Sequence, residues 1–121
     1  LSVTAFNYEN TNFAGADLRG VKLKDTNLNG ADFSGANLQG ANFAESELLS
    51  ANFTDANLSH ANLRETGWNN TIIDRAIFTG ATLEGSSFPG HIDDPFSAVR
   101  PAFGNTTCHD GTYSFDDDGN G

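Results

Sequence analysis

The chain of 121 residues has no methionine, a single cysteine, and only six basic residues against 16 acidic ones. Each shortage removes a class of explanation. A formal charge of −10 leaves no basic footprint for a nucleic-acid backbone, which its binders neutralise with Lys and Arg. It leaves a solubilising surface, a cation site, or an acidic face turned towards a basic partner. No apolar run approaches the roughly 18 residues that would read as a membrane span. Cys108 alone cannot close an internal disulfide. The hydrophobic fraction, 37%, is low for a globular core, so each buried residue must be placed efficiently. The chain also opens on Leu1, inside a repeat, and reads as one whose leader has been removed or whose N-terminus has been shortened.

What is present is a period of five. Every fifth residue from Val3 is large and apolar: Val3, Tyr8, Phe13, Leu18, Leu23 and so on through Phe78, Leu83 and Phe88, after which Asp93 breaks the series. Two places before most centres stands a small residue, such as Ala31, Ala36 or Ala41. The place between is often Asn or Asp, and the fifth place is often Gly. Five matches neither 3.6 nor 2, so neither an amphipathic helix nor an ordinary strand explains it. A square coil does, with one repeat per side, the large residue on the axis and the small one at an inner corner. Successive coils would pair their backbones about 4.8 Å apart. Residues twenty apart then stack, and the expected core columns include Phe13/Phe33/Phe53, an aromatic ladder, and Leu18/Leu38/Leu58.

The run Ala-Asp-Phe-Ser-Gly, Ala-Asn-Leu-Gln-Gly, Ala-Asn-Phe-Ala-Glu, from Ala31 to Glu45, resembles the pentapeptide-repeat consensus A(D/N)LXX. The resemblance covers residues 1–90. It implies an all-β fold, a right-handed quadrilateral parallel β-helix (a solenoid) of about 4.5 coils, followed by a C-terminal cap and acidic Gly/Asp-rich tail over 91–121.

Departures from the pattern mark candidate surfaces. Phe6 and Val21 fill slots meant for small residues, and an N-terminal cap explains Phe6. Trp68 is large for the axis and, with Gly67 and Asn69-Asn70-Thr71, predicts a locally distorted side. Asp25, Glu45 and Glu65 share one corner on successive coils, with Lys24 and Arg64 alongside to neutralise them. Ile72 and Ile77 replace outward Asn or Asp, and Leu49 is also expected outside. The two Ile are expected to meet either the tail or a partner, so they join the acid corner as a candidate partner surface.

In the tail, Asp94-Pro95 predicts a short helix over 95–100, with Phe96, Val99 and Phe103 lying over the end of the last coil. Asp116, Asp118 and Asn120 fit the front half of a calcium loop, although the closing acid is missing. Cys108, His91 and His109 are too few for a convincing zinc site. The Asn-x-Ser/Thr sequons at Asn52, Asn57, Asn69 and Asn105 come almost automatically with the repeat. Cys-His-Asp-Gly-Thr resembles a terminal element of some bacterial pentapeptide-repeat proteins in which a second Cys follows. That resemblance implies an export signal and a second Cys soon after Gly121, hence an exported location (periplasm, thylakoid lumen or extracellular) ahead of a cytoplasmic one.

No nucleophile–base pair, phosphate loop or paired catalytic carboxylate stands in the sequence, so no enzyme and no cofactor is expected. The expected function is a non-enzymatic binding or scaffold module presenting a rigid acidic surface to a protein partner, with neither nucleic acid nor membrane involved. Two further readings are a DNA-mimic inhibitor or protector of an enzyme such as gyrase, as the family resemblance implies, and a calcium-binding exported module.

Overall fold

The computed structural model describes residues 6–87, and the fold follows from where the five backbone N–H groups of each repeat find acceptors. In the repeat Ala31 to Gly35, Ala31 N–H closes the preceding turn on Leu28 O at 3.1 Å. Asp32 N–H donates to Thr11 O of the coil before, at 2.9 Å, and Phe33 N–H to Asn52 O of the coil after, at 2.7 Å. Gly35 N–H also donates forward, to Thr54 O at 2.8 Å. That leaves Ser34 N–H, which the Asp32 carboxylate accepts at 2.9 Å. This last bond explains the Asn or Asp before each centre, because its short side chain reaches the donor two residues on. No donor is left over, as burial demands.

Residues twenty apart are bridged in four columns. They are Asn7–Asn27–Glu47–Gly67–Ser87 (side one), Asn12–Asp32–Asn52–Ile72 (side two), Asp17–Asn37–Asn57–Ile77 (side three) and Lys22–Asn42–Asn62–Thr82 (side four). All are parallel. The expected register of four repeats per coil is therefore present, but the expected all-β architecture is not.

Among the described residues there is no helix, no strand and no sheet; every link between coils is an isolated bridge at one residue per repeat. The right-handed quadrilateral β-helix, a solenoid with strand walls, is corrected accordingly. The physical reason is the period itself. Two of every five residues are spent in a hydrogen-bonded turn, so a second consecutive bridged residue never follows the first. The structure is a stack of turns joined by single bridges. The expected boundary near residue 90, Val3, Phe88 and everything read into the tail lie outside the described residues.

Each turn requires a left-handed residue at its third position, as type II turns do. From Asn10 to Gly85 every fifth residue has φ between 54° and 75°. Glycine fills only some of these places. Glu45, Ser50, His60, Glu65 and Arg75 adopt the same conformation, against a steric cost of about 1–2 kcal/mol each. The forward N–H bond at this position, such as Glu45 N–H to Arg64 O at 2.8 Å, helps hold them there.

The axis is filled as the period predicts. Phe33, Phe53, Leu38 and Leu58 are fully buried, while Phe13 and Leu18, in the first described coil, are half-buried. Phe13, Phe33 and Phe53 stack with centroids 5.0 Å apart and planes 8° apart at both steps. Trp68 is fully buried too; its ring reaches across to Phe53 at 5.0 Å, continuing the aromatic packing where Ile73 ends the column.

One inner corner is polar: Thr26, Ser46, Thr66 and Ser86 are buried there in place of Ala. Ser46 Oγ donates to Leu23 O at 2.6 Å and accepts Thr26 N–H at 3.1 Å. Thr66 Oγ1 accepts the Trp68 indole N–H at 2.6 Å, which satisfies that buried donor.

Two predictions follow from the packing and the turns. Phe33→Ala should cost about 3–5 kcal/mol in chemical denaturation, since it removes the middle ring of the stack. In the turns, Gly35→Ala should destabilise by about 1 kcal/mol although open space surrounds the site, while Ser50→Gly should stabilise by up to about 1 kcal/mol. Equal and opposite shifts in denaturation midpoint would confirm that the backbone, not packing, sets the preference.

Candidate functional site

Position five of the repeat places Asp25, Glu45 and Glu65 at the corner between sides four and one, all left-handed and all exposed. Their N–H groups donate to Ala44, Arg64 and Glu84 carbonyls at 2.9, 2.8 and 3.0 Å, so the backbone beneath the acids is fixed. Gly85 ends the column. A side chain there would meet the Glu65 carboxylate at 2.8 Å, so the missing Cβ gives that carboxylate room against the next turn.

The bases beside this corner are distributed differently from the expectation. Lys24 Nζ lies 3.8 Å from Glu45, but Arg64 reaches along its own column to Glu84, at 3.7 Å, and not to Glu65. Residues twenty apart stack directly, whereas Glu65 follows Arg64 around the turn. Asp25 and Glu65 make no ion pair within 4.0 Å among the described residues.

The corner is a ridge with a shallow groove on each side. On side four the groove is lined by Lys24, Asn42, Asn62 and Arg64 together with Glu45 and Glu65. On side one it is lined by Glu45, Glu47, Glu65, Leu49, Gly67 and Asn69, among others. Side one departs most from the repeat. Glu47 cannot serve Leu49 N–H as an outward Asn would, so Asn29 Oδ1 of the previous coil accepts it at 2.8 Å, and Asn29 Nδ2 donates to Glu47 at 3.2 Å. Gly67 carries no outward side chain at all. The bond from Leu48 N–H to Gly67 O is stretched to 3.2 Å, the turn bond from Thr71 N–H to Trp68 O to 3.3 Å. The distortion expected around Trp68 appears as these long bonds and as the loss of the backward bond from Gly67 N–H to Ser46 O, whose counterparts Glu47 and Ser87 make on the same side; the bridges on either side of Gly67 persist.

Ile72 and Ile77 lie on sides two and three, 46% and 39% exposed, and Leu49 is 44% exposed. Phe6 is 53% exposed and leans on Tyr8, with ring centroids 6.2 Å apart, so among the described residues it is a half-covered end and not a closed cap. Among the described residues no group of three or more His, Cys, Asp and Glu is arranged to hold a metal ion. Asp116, Asp118 and Asn120, like Cys108, His91 and His109, lie outside the described residues, as do Phe96, Val99 and Phe103.

Elsewhere three aspartates are held below the usual carboxylate range. Asp17 owes this first to the side-chain hydrogen bonds from Arg19, Asp55 to those from Arg75 one coil on, and Asp32 to hydrogen bonds from Ser34.

The pentapeptide-repeats family profile matches the chain in eight copies over residues 11–48 and 51–90. The chain belongs to the pentapeptide-repeat family. No match is found among curated protein sequences. Among solved structures it is similar to a pentapeptide repeat protein from Nostoc PCC 7120, with 26% identity and a TM-score of 0.61, over 78% of this chain and 75% of that one. It is also similar to a pentapeptide repeat protein of the Arabidopsis thaliana thylakoid lumen, with 22% identity and a TM-score of 0.52, over 84% of this chain and 61% of that one. That second likeness is one of fold alone, and the chain spans about three-fifths of the lumenal protein's length. QnrB1, a plasmid-mediated fluoroquinolone resistance protein, matches at 22% identity over 62% of this chain and 49% of that one, with a TM-score of 0.44, too low to carry an argument. Membership in this family supports a general, non-catalytic protein-interaction role for the matched repeats.

The depressed aspartates set a sign for pH. A group whose folded pKa is lowered adds stability above its unfolded value, and that stability is lost as pH falls through the folded value. Melting temperature should hold from neutral pH to about 5 and fall below about 4, where free carboxylates protonate. In the triple variant Asp17→Asn, Asp32→Asn, Asp55→Asn the acid fall should be shallower, measured by calorimetry across the same range.

Proposed function

We propose that this chain is a binding module whose working surface is the acid corner Asp25–Glu45–Glu65 with the side-one groove beside it, and that it receives a basic, extended segment of a protein partner. The observation that carries this reading is the placement of carboxylates over a groove that also holds an apolar contact. Glu45, Glu47 and Glu65 line it together with the exposed Leu49, and Gly67 leaves its floor low. Opposite charges steer encounter and set register, while a half-exposed leucine supplies area to bury. The coils beneath supply stiffness, so little ordering cost falls on this side of the complex.

The mixed charge of side four argues against imitation of a DNA duplex. Lys22, Lys24 and Arg64 stand on that side next to the acid corner, and two of them pair with glutamates there. A duplex mimic needs continuous negative charge.

The test is a titration of the isotopically labelled protein with an extended peptide alternating Lys and Leu. Amide shifts should concentrate at residues 45–49 and 65–69, and binding should weaken at about 0.5 M salt, where the screening length is only a few ångströms. The variant Asp25→Asn, Glu45→Gln, Glu65→Gln should lose most of the affinity while keeping its melting temperature. Shifts spread evenly over all four sides, or affinity untouched by the variant, would overturn the assignment.

A further inference from the structure

The outward columns of sides two and three run Asn12–Asp32–Asn52 and Asp17–Asn37–Asn57 through three coils, then both switch to isoleucine in the same coil, at Ile72 and Ile77. The switch has a local cost. Asn52 and Asn57 accept Thr54 and Ser59 N–H groups at 3.0 Å, a service Ile72 and Ile77 cannot give Asp74 and Thr79. It also places two half-exposed apolar side chains on adjacent sides of a chain with little apolar material to spare. Neither cost is needed for the core, since Ile73 and Phe78 already fill the axis in that coil.

We infer that Ile72 and Ile77 form a docking surface for the chain's own segment 92–103. The position of the surface and the sequence beyond it point to this occupant. The last described residue, Ser87, is on side one, and in chain order the next two sides are those that carry Ile72 and Ile77. Segment 92–103 holds the apolar residues Ile92, Phe96, Val99 and Phe103, whereas the following stretch is dominated by Asp, Gly, Asn and Thr. Charge agrees: Asp74, beside Ile73 and exposed, makes no ion pair within 4.0 Å among the described residues, and Arg100 is the only Lys or Arg beyond residue 90. The segment would lie along the outside of the last coils, and burying it there would offset the lost Asn bonds.

The double variant Ile72→Asn, Ile77→Asn, made in the full chain, separates the alternatives by sign. Asn is the residue these columns carry one coil earlier, so the variant should fold. With an unoccupied surface it restores two side-chain acceptors and removes exposed apolar area, and the melting temperature stays level or rises. With segment 92–103 docked, it should lower the melting temperature by about 4 °C or more. Hydrogen exchange gives the second readout: amides of 92–103 should be protected in the wild type and exchange at least about tenfold faster in the variant. Unprotected amides in the wild type, or a variant as stable as the parent with unchanged exchange, overturns the inference. So does sedimentation showing a wild-type dimer that the variant abolishes while tail exchange stays the same, since the occupant would then be a second copy. None of these readouts involves the acid corner, so they stand independently of peptide binding there.

Discussion

Across residues 6–87 the structure depends on one conformational constraint, that the chain turns after every fifth residue. A turn closed by an i to i+3 bond uses one N–H, and its left-handed third residue aims a second N–H at the coil ahead. The residue on the axis sends a third in the same direction, and the outward residue sends a fourth backward. The last donor has no backbone acceptor within reach, and the Asn or Asp side chain is the local remedy. A composition rich in Asn and Ala, poor in total apolar content, follows from that arithmetic. So does the absence of strands among the described residues: one bridge per side is what the turns leave room for, and a second bridged residue per side would take away the turn.

Because neighbouring coils share both the core and these bonds, the stack behaves as a quasi-one-dimensional array whose stability is carried by contacts between adjacent layers. The outer side chains carry much less of it. Asn can give way to Glu47, Gly67, Ile72 or Ile77, provided another group serves the stranded N–H or leaves it to solvent. Asn29 does this for Leu49, across coils. The outward columns depart from Asn and Asp at several places, among them Lys22 and Thr82 on side four and Ser87 on side one. Glu47 and Gly67 lie on side one beside the acid corner; Ile72 and Ile77 lie together at the last described coil.

Much of this was legible in the residues. The period gave the register of twenty, the axis columns and the phenylalanine stack, because volume at every fifth place has only one inward direction to go. The acid corner and the outward isoleucines were legible for the same reason. The walls were not. Apolar periodicity reports which residues point inward and is silent on whether their neighbours extend far enough to count as strand. Nor was it evident that Glu45, His60 or Arg75 would adopt the backbone conformation of glycine, since nothing in those side chains asks for it and the constraint comes from the coil ahead. Thr26, Ser46, Thr66 and Ser86 read simply as small; only the structure reveals them as a hydrogen-bonded corner. Arg64 was expected alongside the acid column, neutralising it, and pairs instead with Glu84, because stacking twenty residues apart outweighs adjacency around a turn.

The pairing of Arg64 bears on what kind of surface the acid corner is. A base that neutralised Glu65 would leave the ridge a solvated ladder of compensated charges, each worth little. Arg64 pairs with Glu84 and Lys24 lies 3.8 Å from Glu45, so among the described residues Asp25 and Glu65 make no ion pair within 4.0 Å. Like charges repeated along one edge repel one another, and the fixed backbone beneath prevents them from relaxing apart. That repulsion is relieved when a cationic group is brought between them.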